Sequence, residues 1–430
     1  MDLNDLLVIS WRKYEQTKDI EYLHTGMRMT REAADKLDID LLRANSDLLL
    51  TNMAHFSPIH GKMSAKIGQV IGFFVKSELN PSKIYTGQCG AGSELAVNEM
   101  ANALSRKGFS VYIFSDINTK TEVRYCLSGR NPQYMPISKS KEEEYIAPSM
   151  PGWVGSFDSL LLSHAGKYSL DHLIVWRTPK VEGYKFQNYA PKVSFWSHDM
   201  AVQRSLSFSF TPHVVYALTD WHISNLRSRY GNLNYIKGCN GTGVDLSIPI
   251  KRRHGKTVGW YSNWARGLNN LLEIWPDVLR EVPDAKLRVG YGRQTWGLLE
   301  EKEIDKLEMK IKEMNVTMLG MLPYQRMLEE LEKESVIAYC CHDHPGETFS
   351  IVMVACQQLG CIPLVRRVEG MKETVSAQDG DLLNIDEYKN KLISILKTDE
   401  DELYPLRDKY REATKHYTWD EAANTWSLYI

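Results

Sequence analysis

The stretch Cys340–Pro363, CCHDHPGETFSIVMVACQQLGCIP, decides how the whole chain is read. The apolar run VIAYCC ends at Cys341 as a strand, a short polar loop delivers Glu347, and small and apolar residues then continue as a helix to Gly360. The strand IPLV follows. Strand, loop, helix and strand in this order form one unit of a parallel sheet, and ligands of such sheets lie beyond the carboxyl ends of the strands. Around Thr348, Phe349, Ser350 and Ile351 the first helical N–H groups lack intrahelical partners and carry the positive end of the dipole, which suits a diphosphate. Glu347 at that entrance is either an acceptor for ligand hydroxyls or simply a carboxylate favoured by the dipole.

The same alternation recurs on the N-terminal side. A second series opens with TVGWYS and the helix GLNNLLEIWPDVLREV, continues through KLRVGYG, NVTMLG and VIAYCC, and closes with IPLV and DLLNI. Before it, the basic stretch IPIKRRHGK reads as a linker. A first series runs from the strand KIYT through the turn GQCGAGSE, with Gly90 and Gly92, into the helix LAVNEMANALSRKG and the strand SVYIFS. Strands are expected at HLIVW, KVSFWS, HVVYALT and NYIKGC, with residues 118–167 irregular. Residues 1–80 show mixed three-and-four apolar spacing and no strand signal, so they read as a helical extension. The division expected is 1–80 helical, 81–250 and 251–415 as two Rossmann-like α/β domains, and 416–430 as a helix returning to the first domain.

With 430 residues the chain exceeds one ordinary core. A formal charge of -2 excludes a global field directed at nucleic acid or anionic membrane. Seven cysteines without a C-x-x-C pair read as reduced, packed thiols. The acidic start MDLNDLLV lacks the pattern of a signal peptide, and the run VIGFFV is far short of the roughly 20 residues that span a bilayer. A cytoplasmic protein with no transmembrane segment is the expectation.

The Cys340–Pro363 stretch resembles the signature of the retaining glycosyltransferases of family 4, in which one Glu precedes a second by seven intervening residues on a small-residue helix. Glu347 matches the first Glu, Gly360 and Pro363 match the helix end, and Ala355 stands where the second Glu is usual. His198 and Asp199, after KVSFWS, look like the family's His-Asp loop. The turn with Gly90 and Gly92 is similar to its glycine-rich loop, and Arg266 matches the basic residue over the donor phosphates. The other basic residue is absent, with Ser262 or Asn263 as a neutral replacement. Asn240, Gly241 and Asp245 match an interdomain turn.

The resemblance implies a GT-B architecture of two Rossmann-like domains facing a cleft, and transfer of a sugar from a nucleotide-sugar donor with retention. The nucleotide sugar is a co-substrate; no resident cofactor and no metal are implied, His342-Asp343-His344 notwithstanding. Glu347 and His198 would hold the sugar. Arg266, Ser262, the glycine turn and the helix entrance would hold the nucleotide. The acceptor stays open among a glycan, a lipid, a protein and a modified nucleobase, and the N-terminal helices would dock it or build a homo-oligomer. Ala355 and the missing basic residue keep an alternative in view: a catalytically silent relative acting as a sugar-binding or scaffold protein.

Overall fold

A computed structural model describes residues 69–76, 92–115, 133–136, 170–181, 184–199, 207–293, 298–340, 347–366, 369–376 and 384–430. The first domain contains β1 (Val70–Val75), α1 (Gly92–Arg106), β2 (Ser110–Ser115), β3 (Gln133–Pro136), β4 (His172–Trp176), β5 (Lys192–Trp196), β6 (Val215–Ala217), α2 (Asp220–Tyr230) and β7 (Tyr235–Lys237). Among the described residues its strands form one parallel sheet in the order β3-β2-β1-β4-β5-β6-β7. Neighbouring strand residues face opposite sides, as a period of two requires. Phe73, Ile174 and Trp196 enter the core shared with α1, while Phe74, Val175 and Phe195 enter the other.

The second domain contains β8 (Thr257–Trp260), α3 (Leu268–Glu281), β9 (Lys286–Gly290), α4 (Glu301–Glu313), β10 (Thr317–Gly320), α5 (Tyr324–Leu331), β11 (Val336–Tyr339), α6 (Ile351–Gln358), β12 (Ile362–Val365), α7 (Met371–Thr374), α8 (Ile385–Lys397) and α9 (Glu400–Thr414). Its parallel sheet has the order β10-β9-β8-β11-β12. The order reverses between β8 and β11, so the loops leaving these two strands diverge and open a crevice.

A last helix, α10 (Trp419–Ser427), packs on α1 and the first sheet. Trp426 is fully buried and stacks on Tyr216 at 3.9 Å, and Arg106 pairs with Asp420 at 2.7 Å. The chain crosses between domains twice, side by side: Thr242 bridges to Thr418, and Thr242 N–H donates to the Tyr417 carbonyl at 3.2 Å. A Cβ on Gly241 would lie 2.2 Å from the Trp419 nitrogen, so this contact requires glycine.

Several expectations need correction. VIGFFV is strand β1, inside the first sheet between β2 and β4, whereas residues up to 80 were expected to be helical. A short apolar run has no readable period when both faces are buried, and here the residues from Ile71 to Val75 are covered on both sides. The first domain therefore includes residues before 81; Lys83–Thr86 and residues 1–68 lie outside the described residues. Strand β3 falls within the stretch read as irregular. In DLLNI, Asn384 caps α8 through Glu387 N–H and Ile385 is already helical. The stretch read as a linker contains buried Arg253, whose guanidinium donates to the Leu359 and Gly360 carbonyls at 2.6 and 2.5 Å. A cation there complements the carboxyl end of α6.

Candidate active site

After β8 the chain makes a tight turn in which the Asn263 side chain accepts from Ala265 N–H at 3.0 Å. Gly267 ends the turn at φ 104, a left-handed conformation that glycine adopts without strain. Trp264 is buried and its indole N–H donates to the Gly290 carbonyl. With its neighbours so fixed, Arg266 lies over the β8–β11 crevice. It forms an ion pair with Glu347 and donates to the hydroxyl of Tyr339, the last residue of β11, at 3.2 Å. The Glu347 carboxylate beside it raises the Arg266 pKa further above its ordinary value, and both side chains keep some exposure, 28% and 15%. Of Ser262 and Asn263, the expected neutral replacements for the absent basic residue, Asn263 is buried and its carboxamide oxygen accepts within the turn. Ser262, half-buried beside it, accepts the Trp260 indole N–H through its carbonyl at 2.9 Å.

The Glu347 backbone is held at both polar groups. Its N–H donates to Glu369 at 2.8 Å and its carbonyl accepts from Gly370 N–H at 3.0 Å. A Cβ on Gly370 would fall 2.2 Å from the Thr348 carbonyl, so the segment after β12 fits under the loop only as glycine. Ser350 caps α6, accepting from Met353 N–H at 3.4 Å. Phe349 and Ile351 send their side chains into the first-domain core, Phe349 edge-on to Tyr417 at 5.4 Å. The helix entrance is thereby pressed against the first domain, and Ile351 lies 3.7 Å from where a Cβ on Gly92 would be.

The first domain contributes His198 at the end of β5. The Thr348 hydroxyl donates to the His198 carbonyl at 2.9 Å, and the Thr348 carbonyl accepts from the Thr219 hydroxyl at 3.2 Å. His198 packs against the Trp196 and Trp176 rings, with centroids 4.4 and 5.8 Å away. Burial, then the nearby Arg177 and His222, hold its pKa well below the usual histidine value, so the ring is neutral. Its Nε2 is buried without a hydrogen-bond partner among the described residues. Asp199, the other member of the expected loop, is taken by Arg177 in a fork of 2.6 and 2.9 Å.

Of the residues singled out from sequence, Arg266 and Glu347 meet directly, Thr348 meets His198, and Ile351 meets Gly92. Gly90 and His342-Asp343-His344 lie outside the described residues. Ala355 is fully buried in the second-domain core. Sequence reasoning missed Tyr339, Thr219, Glu369 and Gly370; reading the final residue and following loop of every strand would have selected Tyr339 and the turn after β12. It also missed Glu373, which accepts from Trp221 N–H at 3.0 Å and pairs with Lys237 at 2.7 Å across the domain boundary.

No family model and no curated protein sequence matches the chain. Solved structures do match it. Sucrose-phosphate synthase from Thermosynechococcus elongatus is 14% identical with a TM-score of 0.60, over 84% of this chain and 98% of that one. HepE from Anabaena, solved with UDP and glucose, is 13% identical with a TM-score of 0.59, over 84% and 98%. A mutant of TarM from S. aureus, solved with fondaparinux, alpha-GlcNAc-glycerol and UDP, is 11% identical with a TM-score of 0.58, over 84% and 99%. At these identities the likeness establishes the fold: two Rossmann-like domains in the GT-B architecture.

Proposed function

We propose that the protein is a glycosyltransferase that moves a sugar from a nucleotide-sugar donor to an acceptor, with retention of configuration and without metal. The observation that carries this reading is the Arg266–Glu347 pair at the β8–β11 switch point, brought against His198 of the other domain by Thr348. HepE and TarM were solved with UDP, which supports a nucleotide donor. A nucleotide sugar brings its own leaving group, so the protein's task is to stabilise charge on the departing diphosphate and to orient the acceptor. Arg266 and the N–H groups at the start of α6 serve the first need. Glu347 accepts from sugar hydroxyls once the diphosphate draws Arg266 away. Neutral His198 offers Nε2 as a hydrogen-bonding group without adding charge. The thiols of Cys239, Cys356 and Cys361 are free, which supports a reducing, cytoplasmic compartment. No described helix is long and apolar enough to cross a membrane.

The second reading, a silent relative that binds sugar nucleotide without turnover, draws on buried Ala355. Thermal shift and turnover with UDP-, GDP-, ADP- and TDP-sugars test both. Stabilisation with donor hydrolysis or transfer supports the enzyme, stabilisation alone supports the silent relative, and no response to any of them removes both.

A further inference from the structure

α6 is bonded to the first domain or to the crossing segments at both ends. At its entrance, Thr348 is tied to His198 and Thr219. At its other end Gln358, fully buried, bonds to both chain crossings: its oxygen accepts from the Thr242 hydroxyl, and its nitrogen donates to the Thr414 and Tyr417 carbonyls at 2.8 and 3.2 Å. Thr242 and Tyr417 are themselves joined by a backbone bond, so one carboxamide closes a ring through outgoing chain, returning chain and helix. Eight helical residues span about 12 Å, which sets the distance between this lock and the donor-facing entrance. The neighbouring Gln357 performs a different task, pinning Thr374 and Ser376 at 2.9 and 3.0 Å.

We propose that Gln358 is a positioning residue that locks α6 to the interdomain hinge, so that the donor-facing entrance of the helix and the two chain crossings move as one body. The catalytic consequence rests on the glycosyl-transfer reading; the lock itself does not. A packed helix transmits a displacement along its length because its backbone hydrogen bonds leave it little freedom to stretch. Opening the domains by rotation at Gly241–Thr242 would then carry α6 with it and break the Thr348 bonds to His198 and Thr219 in the same motion.

Hydrogen exchange on the full chain, without ligand, tests the lock at sites remote from Gln358. Trp221 N–H is bonded across the domain boundary to Glu373, and Gly370 N–H is bonded to the Glu347 carbonyl. Gln358→Met keeps similar volume, and the Thr414 and Tyr417 carbonyls retain Tyr417 N–H and Thr242 N–H as donors, so neither acceptor is orphaned. Exchange at Trp221 and Gly370 is expected to quicken tenfold or more in Gln358→Met and in the milder Thr242→Val, while Thr242→Ser, which keeps the hydroxyl, matches the parent protein. Faster exchange confined to residues 356–361 and 414–418 overturns the proposal, and Thr242→Val alone decides it should Gln358→Met not fold. Parallel turnover assays keep the two readings apart: a parent protein inactive on every nucleotide sugar removes the enzyme, and the exchange pattern still decides the lock.

Discussion

Arg266, from the loop after β8, and Glu347, from the loop after β11, form an ion pair across the crevice where the second sheet reverses its strand order. They are 81 residues apart in sequence; Arg266 is held by a backbone bond within its own turn, and the Glu347 backbone by Glu369 and Gly370 after β12. On the proposed reading, a diphosphate entering the crevice would compete with Glu347 for the guanidinium, and the released carboxylate would become an acceptor for hydroxyl groups.

This relationship separates binding from turnover. Glu347→Gln removes the competitor for Arg266 and is expected to bind UDP at least as tightly as the parent protein. Its turnover should fall a hundredfold or more, roughly 3 kcal/mol of transition-state stabilisation. UDP titration beside steady-state rates checks both parts. Weaker UDP binding with turnover unchanged would contradict the assignment.

Ala355→Glu should destabilise the fold by about 3 kcal/mol or more and should not tighten nucleotide binding. Ala355 is fully buried among second-domain core residues, and a carboxylate there would be desolvated and uncompensated. Urea unfolding with UDP titration reads the outcome; tighter binding at full stability would mean that this helix face opens on the ribose.

Stability should fall as the solution is acidified from about pH 6.5 towards pH 4. His172, His198 and His222 are buried and neutral, with His172 brought down to about 3 and His222 to about 4, in each case first by burial. Below the ordinary histidine pKa the unfolded chain binds protons that the folded chain refuses, so acid favours unfolding. Three such groups give a slope of up to about 4 kcal/mol per pH unit. Calorimetric unfolding across this range should show it, and His172→Gln should flatten it by about a third.

Deleting residues 1–78 should abolish folding, because the cut removes β1 from between β2 and β4. Circular dichroism and solubility decide this. A soluble, cooperatively folded truncation would show that the sheet closes without this interior strand.

Activity should survive EDTA, since Arg266 and the α6 entrance supply the positive potential that a divalent ion would otherwise provide. Rate loss on chelation, restored by manganese, would instead show that His342, Asp343 or another carboxylate holds a metal.

The order of strands and helices from Ser110 onward was largely legible, because parallel units leave a local record: apolar strand, polar loop, amphipathic helix. Glu347 could be selected for the same reason, as a polar residue in the loop after a strand, whereas Arg266 was picked out by the family resemblance. The burial of β1 on both faces erased the alternation that would have marked it as a strand. Likewise, nothing local shows that Asn263 caps its own turn or that Asp199 pairs with Arg177.

What the sequence by itself determined is the pattern of units and the chemical types at their loops, both properties of neighbours along the chain. Only the tertiary structure decided that Arg266 pairs with Glu347, that Thr348 meets His198, and that Gln358 meets Thr242, Thr414 and Tyr417. Each of those bonds joins segments separated by dozens of residues or more. Its geometry follows from how two sheets and a shared hinge pack, which no periodicity along the chain records.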